Sequence, residues 1–262
     1  STEPREGVKK LIRAARIRSN DIRADHIAYQ LAPRLNAAGR LSQAFEAFTL
    51  LVTTDRNQSE AMVARLDELS AMRRVVEAEV LEQALAQVAE KKLHEKPAIV
   101  VYGENWHRGV IGIVAVRVAE RFNRAVYVVG IEDDKGYGSA RGLGHLNLHE
   151  SLVSCAHLLL RYGGHREAAG FSLQKDQIAA FVHGIETYAA FHYKGDVRKE
   201  VECDSCLSLL DLTDSLVKDI RKLGPFGSKN EEPIFEIDGL YVLDRRVVGG
   251  DHLKLELKTP QG

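Results

Sequence analysis

The chain has 262 residues, of which 45% are hydrophobic and 28% are charged, a composition typical of a soluble globular protein with one large or two ordinary domains. Three cysteines are too few for a disulfide scaffold, and the sequence has neither a bilayer-spanning apolar run nor a signal peptide, so we predict a cytoplasmic protein. The net charge of −1 does not itself indicate nucleic-acid binding, but residues 1–40 hold nine Lys/Arg against four Asp/Glu, which fits either a phosphate-binding surface or a solvated helix face.

The first third of the chain is predicted to be helical. Apolar residues recur every three or four positions over residues 5–92, which is the spacing of an amphipathic helix. Residues 58–92 contain no Gly or Pro, so we expect one long helix there. A helix of that length usually links two bodies of a protein. We therefore predict a helical segment over 1–57 and a connector helix over 58–93.

Strands and helices alternate over residues 94–198, which predicts an α/β domain. The expected strands are 98–102, 125–131, 136–141 and 168–173, and the expected helices are 109–122, 148–162 and 177–193. In this interpretation two glycines, Gly163 and Gly164, join a helix to a strand.

Residues 199–262 are predicted to be mostly β. A strand at 199–209 and a short helix precede a Gly-Pro-Phe-Gly break, and alternating strands follow at 234–242 and 253–257. Two or three strands do not make an independent sheet. We expect either the beginning of a β-barrel or a flap on the α/β body. Because the chain starts without Met and ends in an apparent strand, we expect a piece of a longer protein.

Cys203 and Cys206 form a C-x-x-C sequence. A second pair that would complete a zinc site is missing from the sequence around them, and the flanking residues are not those of a thioredoxin-like helix. We predict ordinary thiols here and no metal-ligand set in the chain.

Glycine-containing turns carry the functional signal. In Y-G-G-H-R-E-A-A-G (162–170), Gly163 and Gly164 allow backbone N–H groups to approach an anion, and His165 can donate to a phosphate oxygen. The alternative is a helix C-cap beside a packed histidine.

The second motif is G-Y-G-S-A-R-G (136–142). Ser139 and Arg141 stand two residues apart on a predicted strand, so their side chains share a face and can hold one phosphate together. We include Gly138 among the predicted substrate-binding residues. The alternative is a hairpin end with a solvent-facing arginine.

The third motif is W-H-R-G-V-I-G-I-V-A (106–115), at a predicted helix N-terminus, where anions are favoured. His107 is its candidate binding residue; alternatively it is a residue of the first turn that only packs.

The fourth motif is A-P-R-L-N-A-A-G-R (32–40). Pro33 is expected to end or kink the preceding helix, which would leave Arg34, Asn36 and Arg40 on an irregular segment where binding groups often lie. Taken alone it is an unremarkable basic loop.

In this order and spacing, P-R-L-N-A-A-G-R-L, W-H-R-G-V-I-G-I-V-A, G-S-A-R-G and G-G-H-R-E-A-A-G resemble the RecJ family of the DHH phosphoesterase superfamily. The tail G-P-F-G-S-K-N-E-E-P-I-F-E resembles the beginning of that family's C-terminal OB-fold, and the resemblance extends over about 21–257. It implies an α/β fold in which a DHH-associated domain, a mixed sheet flanked by helices at 94–198, follows the connector helix. A partial OB-like β segment at 199–262 completes it.

The resemblance also implies a function. Members of the family are 5′→3′ single-stranded-DNA exonucleases of repair and recombination, with Mn²⁺ or Mg²⁺ bound by a front DHH domain. This chain has no D-H-H triplet, so it is expected to be the DNA-binding half, inactive alone. Single-stranded DNA is the expected partner, with a single-stranded-DNA-binding protein or a helicase as possible protein partners and no membrane.

Family positions imply the residue roles. Ser139 and Arg141 would hold the DNA 5′ phosphate, His165 would contact the phosphate nearest the metals, and Arg34 and Arg40 would lie along the strand. The family's G-S-G-R-S is G-S-A-R-G here, so one hydroxyl is lost and one methyl group is added. Two alternatives are a related DHH enzyme acting on oligoribonucleotides or nucleotide phosphates, and a non-catalytic nucleic-acid-binding scaffold.

Overall fold

The computed structural model describes residues 4–18, 22–142, 144, 146–193, 195, 201–249 and 252–259. They fall into two compact units, residues 1–198 and residues 199–262. Within the described residues, no helix is long and apolar enough to cross a membrane.

The first unit begins with helices, as predicted. They are α1 (Glu6–Ala14), α2 (Ala24–His26), α3 (Ala32–Leu41), α4 (Ala44–Val52) and α5 (Arg56–Glu90), with a π-helical turn (Ile27–Leu31) between α2 and α3. Buried side chains such as Leu11, Leu50 and Leu66 form a hydrophobic cluster shared by α1, α3, α4 and the first half of α5.

Helix α5 is the long helix that the sequence predicts, with 35 residues. The carboxylate of Asp55 caps it by accepting a hydrogen bond from the backbone N of Gln58 at 2.8 Å. Its second half packs on the sheet domain through Val80, Ala84 and Val88. One rigid helix therefore connects two hydrophobic clusters. The boundaries at 57/58 and 93/94 remain predictions.

A mixed five-stranded sheet follows. Its strands are β1 (Ala98–Glu104), β2 (Ala125–Glu132), β3 (Lys135–Arg141), β4 (Leu159–Gly164) and β5 (Ala168–Gln174). The spatial order is β1-β2-β3-β5-β4. Strands β1 and β2 are parallel and joined by α6 (Ile111–Phe122), and the other pairs are antiparallel. The predicted α/β class is confirmed.

Helices cover the two faces of the sheet unequally. On one face α5 and α6 pack against β1 and β2 around Ile99, Val126 and Trp106. On the other, α7 (Leu148–Ser154) and α8 (Ile178–His192) enclose Tyr127 and Phe171. Short 3₁₀ turns lie at Leu93–Glu95, Ala156–Leu158 and Lys175–Gln177.

The predicted helix over 148–162 is wrong in its second half. Helix α7 ends at Ser154, and Leu159–Gly164 is strand β4, paired antiparallel with β5. Pairing with a neighbouring strand outweighs the helix propensity of the two leucines in this segment. Gly163 and Gly164 therefore lie within a β-hairpin and do not end a helix.

The irregular segment predicted after Pro33 is also wrong. Pro33 stands at the start of α3, where the missing N–H costs no hydrogen bond. The departure from regular α-helical geometry lies before it, in the π-helical turn. Arg34, Asn36 and Arg40 are consequently helical residues.

The second unit is small and largely β. It contains β6 (Ser205–Cys206), a 3₁₀ turn (Leu209–Asp211), α9 (Asp214–Lys222), β7 (Phe235–Glu236), β8 (Tyr241–Val248) and β9 (His252–Lys258). Strands β8 and β9 form an antiparallel pair, and β6 pairs with β7. The strand predicted at 199–209 is only two residues long; its first two positions lie outside the described residues. The partial OB-like β segment is confirmed.

Candidate nucleic-acid interface

Two polar residues of β3 lie against the first turn of α6. Nη1 of Arg141 donates hydrogen bonds to Oγ of Ser139 at 3.2 Å and to the carbonyl oxygen of Ala140 at 2.7 Å. A Cβ on Gly112 would stand 3.2 Å from Oγ of Ser139 and 3.5 Å from Nη2 of Arg141. Ser139 and Arg141 thus share one face of the strand, at the N-terminus of a 12-residue helix.

The last turn of α3 brings a second arginine to this helix start. Nη1 of Arg40 donates to the carbonyl oxygen of Gly109 at 3.0 Å, and the backbone N of Gly109 donates to Nδ1 of His107 at 3.0 Å. Helix α3 is therefore hydrogen-bonded to the loop that leads into α6. Within that loop, the ring Nδ1 of His107 accepts the hydrogen bond from Gly109.

The two arginines that meet here, Arg40 and Arg141, carry charges of the same sign. Burial lowers the pKa of the Arg141 guanidinium, and the charge of Arg40 lowers the pKa further. No carboxylate of the described residues forms an ion pair with Arg40 or Arg141, and the N-terminus of α6 adds positive potential. We call Arg40, Ser139 and Arg141 the arginine site. Its geometry suits an anion with several oxygen atoms, such as phosphate.

Trp106 fixes the loop that carries this site. Its ring is buried, its Nε1 donates to Oε1 of Gln83 on α5 at 2.7 Å, and it occupies the space that Cβ atoms on Gly103 and Gly130 would need. Trp106 of the W-H-R-G motif therefore has a structural role. It fixes the loop and so positions His107 and Gly109.

The hairpin between β4 and β5 carries the motif Y-G-G-H-R-E-A-A-G (162–170). The backbone N of His165 donates to the carbonyl oxygen of Ala168 at 2.8 Å, and Ala168 pairs with Arg141 across the sheet. The side chain of His165 is exposed. His165 therefore lies at the same end of the sheet as Arg141, with strand β5 between them. Gly164 has φ +142° and lies against the backbone of Ala168 and its neighbour, so it is needed for the turn.

Register places a second glycine pair beside the arginine site. Gly163 is the partner of Gly170, and Gly170 is the partner of Ser139. A Cβ on Gly163 would meet no atom within 4 Å. By contrast, a Cβ on Gly138 would meet the Phe171 ring at 2.1 Å, so Gly138 faces the core and only its backbone is available to a ligand.

These residues belong to one part of the sheet whose side chains are exposed or half-buried. It lies on the α6 side of β3, β5 and β4, next to the first turn of α6. We call it the open face; its members are Tyr137, Ser139, Arg141, Arg161, Gly163, Ala168, Gly170 and Ser172.

Two predicted contacts lie outside this group. Nε of Arg34 donates to Oδ1 of Asp67 at 2.7 Å, and its Nη1 donates to the carbonyl oxygen of Gln30 at 2.6 Å. Arg34 is thus neutralised by a carboxylate of α5. Asn36 is exposed on α3, one turn before Arg40.

A divalent metal does not fit the described part of the chain. Over those residues, no three His, Cys, Asp or Glu side chains come close enough together to hold an ion. No catalytic step is therefore assigned to a metal within this chain.

Two features of this surface were not predicted from the sequence: Arg161, and the pair formed by Arg108 and Tyr137. The guanidinium of Arg108 lies 5.7 Å from the centre of the Tyr137 ring, and Arg161 is on β4, which was predicted to be helical. The alternation of side chains along a strand would have indicated Arg161, had the strand been recognised.

Each of the two units matches a known domain family. The DHHA1 domain family matches residues 95–190, and the RecJ OB domain family matches residues 203–261. The single-stranded-DNA-specific exonuclease RecJ of Thermus thermophilus is 38% identical over 236 residues, covering 90% of this chain and 34% of that protein. The Bacillus subtilis protein of the same name is 32% identical over 260 residues, covering 97% and 33%.

A solved structure is also similar. The crystal structure of Thermus thermophilus RecJ in complex with Mn²⁺ has a TM-score of 0.83 and 35% identity, over 96% of this chain and 37% of that one. A crystal structure of the same protein with Mg²⁺ has a TM-score of 0.82. The chain thus spans about a third of the length of these relatives. With both of its domains matched in order, the chain belongs to the RecJ family.

Proposed function

We propose that this chain is the strand-holding half of a 5′→3′ single-stranded-DNA exonuclease of DNA repair and recombination. The parent enzyme would be a phosphodiester hydrolase that uses Mn²⁺ or Mg²⁺ bound outside the described residues. The relatives named as single-stranded-DNA-specific exonucleases, and neighbours solved with Mn²⁺ or Mg²⁺, support this proposal.

The observation that carries the proposal is the arginine site. Two guanidinium groups repel each other when brought together, and in water-poor surroundings that repulsion costs stability. A bound phosphate removes the repulsion, accepts hydrogen bonds from Arg40, Arg141 and Ser139, and gains from the N-terminus of α6. In this proposal the site holds the 5′-terminal phosphate of the strand.

His165 and the glycines extend the proposal. Because His165 lies at the same end of the sheet as Arg141, a strand held at its 5′ end would bring a following phosphate to the imidazole. The residues of this chain would set the register of the strand, so that the bond to be cut is positioned for hydrolysis. Gly163, Gly164 and His107 would line the path, with Asn36 and Arg34 further along it.

Arg141→Ala in the full-length enzyme tests the proposal. Removing a charged hydrogen-bond donor should weaken binding of 5′-phosphorylated single strands by about 1.5–3 kcal/mol, while 5′-hydroxyl strands lose little. Equal weakening for both strands would refute the assigned role. Arg121→Ala, at the far end of α6, serves as a matched control.

The present chain by itself is expected to be inactive. A nuclease assay with Mn²⁺ on long single-stranded DNA measures this, and robust metal-dependent cleavage would show that the chain holds a metal site after all. The predicted partnership with a single-stranded-DNA-binding protein or a helicase, and the predicted cytoplasmic location, stay predictions.

A further inference from the structure

The alternation of side chains between the two faces of the sheet is interrupted in the middle of strand β4. Leu159 pairs with Leu173, which is buried, but Arg161 pairs with Ser172, so one extra residue is inserted between them. In an uninterrupted strand Leu159 and Arg161 would share a face. The β-bulge therefore turns Arg161 away from the hydrophobic core and onto the open face, together with Gly163.

Arg161 has no hydrogen-bond or ion-pair partner among the residues that the structure describes. Its side chain is exposed, and in the described structure no hydrogen bond or ion pair to its guanidinium occurs. The other seven members of the open face include no carboxylate. Within the described part of the chain, Arg161 is thus an unpaired cation on the same surface as the arginine site.

Two glycines lie between Arg161 and the arginine site on the open face. Two strand spacings of about 4.8 Å separate β3 from β4. The row that crosses them runs from Ser139 through Gly170 to Gly163, and neither glycine is required by packing: a Cβ on Gly163 would meet nothing within 4 Å, and one on Gly170 only a carbonyl oxygen at 3.8 Å. Over the described residues, the two glycine positions of this row present no side chain to a strand that leaves the arginine site.

We propose that Arg161 is a second backbone contact, which binds a phosphodiester of the strand downstream of its 5′-terminal phosphate. The inference rests on the proposed function, because it takes the strand to start at the arginine site. Its ligand is a phosphodiester group, so the contact is independent of base sequence and of the state of the 5′ end. Arg161 is a binding residue in this account and not a catalytic one.

A different explanation of the same geometry exists. Strand β4 is the edge of the sheet, and charged residues and bulges on edge strands prevent pairing with other chains. That role predicts no effect of Arg161 on DNA affinity, so a binding measurement separates the two explanations.

The experiment compares the full-length enzyme with Arg161→Ala, Arg161→Lys and Arg121→Ala. Binding to a fluorescent single strand is measured without divalent metal, so that no cleavage occurs, over a series of salt concentrations. Arg161→Ala should lower affinity about fivefold and reduce the slope of log K against log[salt] by about 0.7, the value for one phosphate contact on a single strand. Arg161→Lys should keep the slope, and Arg121→Ala should change neither quantity.

The state of the 5′ end distinguishes this inference from the proposed function. Loss of affinity in Arg161→Ala should be equal for 5′-phosphorylated and 5′-hydroxyl strands, whereas loss in Arg141→Ala should depend on the 5′ phosphate. An unchanged salt slope in Arg161→Ala overturns the inference and leaves the arginine site intact. A loss confined to 5′-phosphorylated strands also overturns it, because Arg161 would then belong to the terminal site. If Arg141→Ala shows no dependence on the 5′ phosphate while the slope falls in Arg161→Ala, the assigned role of the arginine site fails and the backbone contact stands.

Discussion

Arg40 and Gly109 contact each other twice. Nη1 of Arg40 donates to the carbonyl oxygen of Gly109 at 3.0 Å, and the carbonyl oxygen of Arg40 lies 2.1 Å from the point where a Cβ on Gly109 would stand. The end of α3 and the loop before α6 are therefore joined by a side-chain hydrogen bond and by a close backbone approach, at a position where only glycine fits.

Gly109→Ala should disturb this contact. A methyl group would collide with backbone, which cannot move aside as a flexible side chain can, so we expect the free energy of unfolding to fall by about 1–3 kcal/mol. Urea denaturation measures it. Gly142→Ala is the control, since its Cβ would make ordinary contact with Leu148 at 3.6 Å; equal losses in the two variants would contradict the explanation.

Gly138 and Gly163 should respond differently to the same change. In Gly138→Ala the new methyl group meets the Phe171 ring at 2.1 Å, and overpacking of this kind costs about 1–3 kcal/mol. In Gly163→Ala the methyl group enters open space, so stability should stay within about 0.5 kcal/mol of the parent chain. Thermal unfolding of both variants tests the contrast, which fails if Gly163→Ala is the less stable.

A buried carboxylate stabilises the contact between α5 and α6. The side chain of Glu77 is 3% exposed; it accepts a hydrogen bond from Nη1 of Arg73, and its Oε1 lies 2.7 Å from Nη2 of Arg117, at ion-pair distance. Glu77→Ala leaves the mostly buried Arg73 without a counter-charge, and should cost about 3 kcal/mol. The exposed Glu79 of the same helix provides the control, Glu79→Ala. A loss below about 0.5 kcal/mol in Glu77→Ala would show that the ion pairs contribute nothing.

Glu236 should control the reactivity of a thiol in the second unit. The negative charge of Glu236 is the main cause that raises the pKa of Cys206, because it disfavours the thiolate. Glu236→Gln should therefore lower the pKa of Cys206 and shift its alkylation by iodoacetamide to lower pH. Mass spectrometry follows each cysteine separately. Cys155 is buried and should react only after unfolding; an identical pH profile of Cys206 in both proteins would rule out the charge effect.

His165→Ala should reduce turnover more than binding in the full-length enzyme. A donor that acts on the phosphate being cut contributes mainly in the transition state, so we expect a loss of about 100-fold in kcat with only a small change in affinity for single strands. Single-turnover kinetics and equilibrium binding separate the two effects. His183→Ala, an exposed histidine of α8, is the control. Unchanged turnover in His165→Ala would refute the role.

Local pattern accounts for much of the fold. The apolar spacing predicted a long helix over 58–93, and α5 runs from Arg56 to Glu90, because helix formation depends on residues near in sequence. The apolar runs at 98–102 and 125–131 predicted β1 and β2 for the same reason. Strand β4 was missed, since a short Leu-Leu-Arg-Tyr segment becomes a strand only when β5 is beside it.

The sequence by itself determined the family of this protein and the identity of Ser139 and Arg141 as neighbours on one strand face, because a spacing of two residues on a strand has one geometric outcome. Tertiary structure decided which other groups join them. Arg40 lies on helix α3, 69 residues before the Gly109 that it contacts. Arg34 forms an ion pair with Asp67 and is not available to the site. A β-bulge turns Arg161 to the open face. Each outcome depends on contacts between segments distant in the chain, whose packing no local pattern encodes.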